Sequence, residues 1–98
     1  MGDYKCVMMK PNDNVAVALM DIPQHSVVHV ECQDYRITLS LIQPIEFGHK
    51  FAVKEISKGN DILKYGEVIG AATSNIRVGE HVHVHNVEGK RGRGDISV

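Results

Sequence analysis

Three of the six histidines in this chain stand at alternate positions in His81-Val82-His83-Val84-His85, with Asn86 next. Imidazole changes charge near neutrality and is the commonest metal ligand. Such a group is equipped to hold a divalent ion, to move protons, or both. In a β-strand successive side chains point to opposite faces. The spacing therefore predicts all three imidazoles on one face, with Val82 and Val84 on the other and toward a core. Same-face neighbours on a strand lie about 6.6 Å apart at a rise of about 3.3 Å per residue, whereas zinc-like ions bind imidazole at about 2.0–2.1 Å. A straight strand can thus lend at most two of His81, His83 and His85 to one ion, and the third is left for substrate or solvent. Taken alone, the same row also describes an ordinary polar strand face opposite a valine core.

Other residues could join this chemistry. In Gly48-His49-Lys50 the glycine allows His49 a close approach to a ligand, and Lys50 can meet a carboxylate as a point charge. In Lys64-Tyr65-Gly66, Lys64 can meet an anion, while Tyr65 is expected to pack and Gly66 to turn the chain. Asn86 falls on the face opposite the imidazoles unless the strand ends there, which the nearby Gly89 permits. His25 and His29 have no supporting motif and are expected to be exposed. Asp13-Asn14 reads as turn chemistry.

The elements that must carry these groups are strands. A unit recurs three times: Ala18 to Val28, Ala52 to Ile62 and Ala72 to Val82. Each has a small residue, then a polar residue before Ile (Asp21-Ile22, Glu55-Ile56, Asn75-Ile76), and usually Gly three positions after that Ile. It reads as strand, tight turn, strand, with Ile in the core and Gly supplying a positive φ. His25 takes the glycine's place in the first copy, at a cost of about 1 kcal/mol if the turn is kept. Further strand-like runs cover Tyr4 to Lys10, Val15 to Leu19, Val27 to Glu31, Arg36 to Leu41 and Glu67 to Ala72. No segment holds helical periodicity over ten residues. The expectation is a mostly β domain of short twisted strands and hairpins over residues 1–88. Residues 89–98, basic and glycine-rich, are expected to form a flexible tail.

Composition narrows the function. Ninety-eight residues make one domain, and a chain this short buries roughly 60–65% of its unfolded surface. A deep private pocket is not expected, so a substrate site would be shared with a partner. With 43% hydrophobic and 23% charged residues the chain is an ordinary soluble domain. A net charge of −1 argues against nucleic-acid or membrane-surface binding. Cys6 and Cys32 have no CxxC spacing and read as buried thiols. No signal segment or apolar span is evident, so the cytoplasm is the expected location.

Four segments in order carry a family resemblance: Asp13-Asn14-Val15-Ala16-Val17-Ala18, Gly48-His49-Lys50, Lys64-Tyr65-Gly66 with Ile69-Gly70-Ala71-Ala72-Thr73, and Gly79-Glu80-His81-Val82-His83-Val84-His85-Asn86. Together they resemble the N-terminal SAF-type domain of altronate/galactarate dehydratases, with Arg91 to Asp95 similar to that family's linker. The resemblance implies a β-clip fold and a carbon–oxygen lyase, a hydro-lyase that removes water from a sugar acid to give a 2-keto-3-deoxy acid. It also implies a divalent metal, iron(II) first and manganese(II) second. A large catalytic subunit is the implied partner, without which this small subunit would be inactive. Assembly of small and large subunits, with a dimer of such pairs as one form, is what the resemblance implies, and a homo-oligomer is an option for the chain in isolation. On this footing His83 and His85 are candidate catalytic groups, His49, Lys50, Lys64 and Asn86 candidate substrate contacts, and two of His81, His83 and His85 candidate metal ligands. Two alternatives stand beside it: a non-catalytic SAF-type binding module, and the small subunit of a sulfolactate sulfo-lyase.

Overall fold

A computed structural model describes residues 4–89. It is mostly β, and no helix occurs among the described residues. Nine short strands run in order: β1 (Cys6–Val7), β2 (Val15–Ala18), β3 (Val27–Cys32), β4 (Tyr35–Ser40), β5 (Lys50–Ala52), β6 (Asp61–Lys64), β7 (Glu67–Ala72), β8 (His81–Val82) and β9 (Val87–Glu88). They form three antiparallel sheets ordered β1-β2-β5-β8, β3-β4 and β6-β7-β9. Of the run expected from Tyr4 to Lys10, only Cys6–Val7 pairs as a strand. The tail proposed for residues 89–98 lies, beyond Gly89, outside the described residues.

The repeat organises the fold, and it occurs four times. The fourth copy is Leu41 to Phe51, with Ile45 at its centre and Gly48 at its turn. His25, Gly48, Gly59 and Gly79 occupy equivalent positions, with φ of 71°, 86°, 89° and 87°. Each turn is closed by the same bond: Ser26 to Pro23, His49 to Glu46, Asn60 to Ser57 and Glu80 to Arg77. The copies pair reciprocally, through Ile22 with Ile45 and Ile56 with Ile76. Within each pair, one unit's first residue exchanges two backbone bonds with the other unit's turn. Ala18 does so with Gly48 and His49, Leu41 with His25 and Ser26, Ala52 with Gly79 and Glu80, and Ala72 with Gly59 and Asn60. In two copies the polar residue before Ile serves its partner's turn rather than its own. Asp21 Oδ1 accepts from Phe47 N at 2.9 Å and Asn75 Oδ1 from Lys58 N at 2.8 Å.

Each repeat pair builds one core. Ile22 and Ile45 join Val28, Val30, Leu39, Leu41, Phe51 and Val53 in the first. Ile56 and Ile76 join Val15, Ile62, Ala72 and Val82 in the second. The central strands β2 and β5 lie between them. Ala16, Ala18 and Phe51 face the first core, Val15 and Ala52 the second. Burial on both faces explains why β2 reads Val-Ala-Val-Ala without polar alternation. Cys32 is buried in the first core and Cys6 packs against it half-buried; both are free thiols.

Asp13 and Asn14 do more than turn the chain locally. The Asp13 side chain is buried and accepts backbone N–H bonds from Lys10 at 3.2 Å, Tyr65 at 2.9 Å and Gly66 at 2.7 Å. Asn14 accepts from Leu63 N at 2.8 Å and donates to Asp61 O at 2.9 Å. These two residues clamp the β6–β7 hairpin onto β2. Tyr65, expected to pack, is instead the first residue of that two-residue hairpin turn. It is exposed, with φ 57° ahead of Gly66 at 79°.

Candidate functional site

The site is built where β5 meets β8. The two strands pair with Lys50 opposite Val82 and Phe51 opposite His81. His49, the last residue of the fourth repeat's turn, therefore arrives beside His81. His49 Nδ1 and His81 Nε2 are 2.9 Å apart, a hydrogen bond in which one ring donates to the other.

The strand expected from His81 to His85 ends at Val82. Asn86 explains why. Its Oδ1 accepts from His83 N at 2.9 Å, its Nδ2 donates to His81 O at 2.9 Å, and its own N donates to His83 O at 3.0 Å. The chain from His83 to Asn86 curls into a turn around this buried amide. Val82 still enters the second core, but Val84, expected beside it, is 81% exposed. The turn also removes the limit set by a straight strand, because His83 now folds back over its neighbours. Its ring stacks on His49 with centroids 4.3 Å apart and planes 12° apart, and lies 5.3 Å from His81. His49 and His81 are themselves stacked at 5.1 Å. His85 is exposed and tilted 36° against His81 at 5.2 Å, at the rim of the stack.

His49, His81 and His83 bring one ring nitrogen each to within 4.8 Å of the others. The grouping is close enough that small side-chain movements would let the three rings share one ion. Burial first, then the neighbouring His85, His49, His83 and Lys50, hold His81 below the usual imidazole pKa. Burial, His49, Lys50 and His85 do the same to His83, against an opposing pull from Glu46. Both rings are thereby kept neutral, the form that ligates metals. His83 Nδ1 is buried with no hydrogen-bond partner. A buried polar atom left unpaired is costly, and a bound ion would remove that cost. The donor set of three imidazoles suits zinc, iron and related ions.

The remaining candidates are distributed around this stack. Lys50 is half-buried next to His49; desolvation, and then the charge of Lys64, hold its ammonium below the ordinary lysine value. Lys64 also lies 5.0 Å from the Tyr65 ring. Asn86 has both side-chain groups bonded to the backbone of the histidine turn. His25 and His29 stay exposed and away from the stack, His29 bonded to Thr38 Oγ1 at 2.9 Å. Two contributors carry no signal of their own in the sequence. Gln43 Oε1 accepts from His81 N at 2.9 Å, and Glu46 lies 3.6 Å from His49 Nε2. Aligning Ile45-Glu46-Phe47-Gly48 as a fourth repeat would have placed His49 next to the histidine segment.

Comparison with known proteins bears on this arrangement. The profile of the altronate/galactarate dehydratase SAF domain matches residues 4–90. The altronate dehydratase of Escherichia coli strain K12 is 47% identical over 74 residues, which are 76% of this chain and 14% of that protein. The altronate dehydratase of Bacillus subtilis strain 168 is 37% identical over 82 residues, 84% of this chain and 16% of that protein. The (2R)-sulfolactate sulfo-lyase subunit alpha of Paracoccus pantotrophus is 42% identical over 65 residues, 66% of this chain and 94% of that subunit. The chain thus spans only 14–16% of the length of the altronate dehydratases it matches.

Proposed function

The chain belongs to the altronate/galactarate dehydratase family, as its SAF domain, and we propose that it works as the small subunit of a sugar-acid dehydratase. On this reading it removes water from an aldonic or aldaric acid together with a large catalytic subunit. The observation that carries the proposal is the gathering of ring nitrogens from His49, His81 and His83 within 4.8 Å of one another. A shorter relative, the Paracoccus sulfo-lyase protein, is named a subunit, which supports a two-polypeptide arrangement.

Elimination beside a carboxylate needs a base for the α-proton, a counter-charge for the enediolate, and an acid for the departing hydroxyl. His49, His81 and His83 are the residues that would hold a divalent ion, iron(II) or manganese(II). Such an ion supplies Lewis-acid polarisation of substrate oxygens. Burial holds His81 and His83 toward the neutral form that ligates metals, and the proton that His49 and His81 share in their hydrogen bond would give up its place to an ion. His85, exposed beside the stack, would hand a proton to the leaving oxygen. The base comes from the large subunit, which also closes the site from water.

A second reading is favoured by the 94% coverage of the sulfolactate sulfo-lyase subunit alpha. There the leaving group is sulfite, which departs with the C–S bonding pair and needs no proton, while the demands on base and counter-charge are the same. The test is co-purification with a large-domain protein of this family, then assay of the pair on altronate, galactarate and sulfolactate with and without iron(II) or manganese(II). Metal-dependent water release from a sugar acid, only with both chains present, is the expected result. Sulfite release alone would select the second reading. A chain that finds no partner and turns over nothing would leave a binding module.

A further inference from the structure

Lys50 is a cation in an unusual position. It is half-buried on β5, it makes no ion pair among the described residues, and Lys64 is near enough to repel it. It forms one side of a cleft of about 280 Å³ whose other walls are His83 and the apolar side chains of Ile69, Val84 and Val87. A half-buried ammonium with a second ammonium near enough to repel it is poorly solvated, and no carboxylate pairs with it among the described residues. The cleft is therefore complementary to a small anion that carries carbon on one side and a carboxylate on the other. Its volume suits a molecule below drug size.

We propose that this cleft binds the substrate's carboxylate, with Lys50 as its primary cation and Lys64 as a second, longer-range one. The inference rests on the sugar-acid reading and adds an orientation to it. The carboxylate end lies toward Lys50 on β5 and Lys64 on β6, and the carbons to be dehydrated lie toward His83. Val84, pushed out of the core by the Asn86 turn, becomes a wall of the cleft, which gives its exposure a use. Discrimination between sugar acids and uncharged polyols would then reside in this chain.

The test is an NMR titration of the full chain with galactarate, and with galactitol as its uncharged counterpart. Galactarate should shift the signals of Lys50, Ile69, Val84 and Val87, and galactitol should not. Lys50→Met should abolish these shifts, and Lys50→Arg should restore part of them. In the complex with the large subunit, Lys50→Met should raise KM roughly 10- to 100-fold, the range of one charge-assisted hydrogen bond, with a smaller effect on kcat. Equal binding of galactitol, shifts confined to other faces, or unchanged affinity in Lys50→Met would overturn the proposal. If the wild-type pair turns over no sugar acid, the dehydratase reading falls, and the titration still decides the cleft.

Discussion

Asn86 is where folding and chemistry meet, and replacing it separates the two. Its side chain is buried and makes two bonds, from His83 N and to His81 O. In Asn86→Ala both backbone groups lose their partner within the turn. At a net of about 0.5–1.5 kcal/mol per hydrogen bond, with the upper end appropriate to groups that water cannot reach, the loss is about 2 kcal/mol. For a domain of this size that corresponds to a fall in Tm of about 8–16 °C. Asn86→Asp keeps the acceptor for His83 N but turns the donor toward His81 O into a buried oxygen, so it should be at least as destabilising near neutral pH. A second effect follows at the site. With the turn loosened, His83 no longer stacks on His49, and divalent-metal affinity should fall by about 10–100-fold, as is common when a ligand's supporting partner is removed. Circular-dichroism melting measures the first effect and a cobalt(II) titration the second. An Asn86→Ala chain that melts with the wild type and binds cobalt as tightly would refute the claim that this amide shapes the site.

Three further outcomes follow from the same physics. Asp13→Ala should cost about 3 kcal/mol, since three backbone N–H groups lose a buried carboxylate; urea unfolding gives the number, and a loss below about 1 kcal/mol would contradict the clamp. Gly79→Ala should unfold or severely destabilise the chain, because a Cβ there would overlap Ser40 O at positive φ, whereas Gly59→Ala meets open space and should cost only about 1–2 kcal/mol of backbone strain. The metal-free chain should lose stability in acid. His81 and His83 have folded pKa values held below the usual 6.5 or so, so the unfolded chain binds more protons as pH falls through and below that value, and stability drops there while staying flat above it. Tm measured between pH 8 and 5 reports this, and His81→Gln should flatten the slope.

The sequence reveals the strands and the chemistry more readily than the way they meet. Ile22, Ile56 and Ile76 mark their repeats because each is preceded by a carboxylate or amide and followed by a turn residue. Ile45 hides because Pro44 stands where the others are polar and Leu41 where they have alanine. Missing it hides the proximity of His49 to His81, which comes from backbone pairing across 32 residues. The alternation His81 to His85 has the period of a strand, yet the local bonds of Asn86 win over that period after Val82 and send Val84 outward. Asp13 reads as a turn residue because its long-range acceptance from Tyr65 and Gly66 has no local signature. His25 is the converse case: the repeat alone predicts its left-handed backbone, and its φ is 71°.

Metal binding by the full chain tests the histidine trio most directly. Cobalt(II) titration, followed by absorption and by metal analysis of the dialysed protein, should show one ion per chain for the wild type and for His85→Ala. His49→Ala, His81→Ala and His83→Ala should each lose it while keeping the wild-type circular-dichroism spectrum. Undiminished cobalt binding by folded His49→Ala, or its loss in His85→Ala alone, would contradict the site described here.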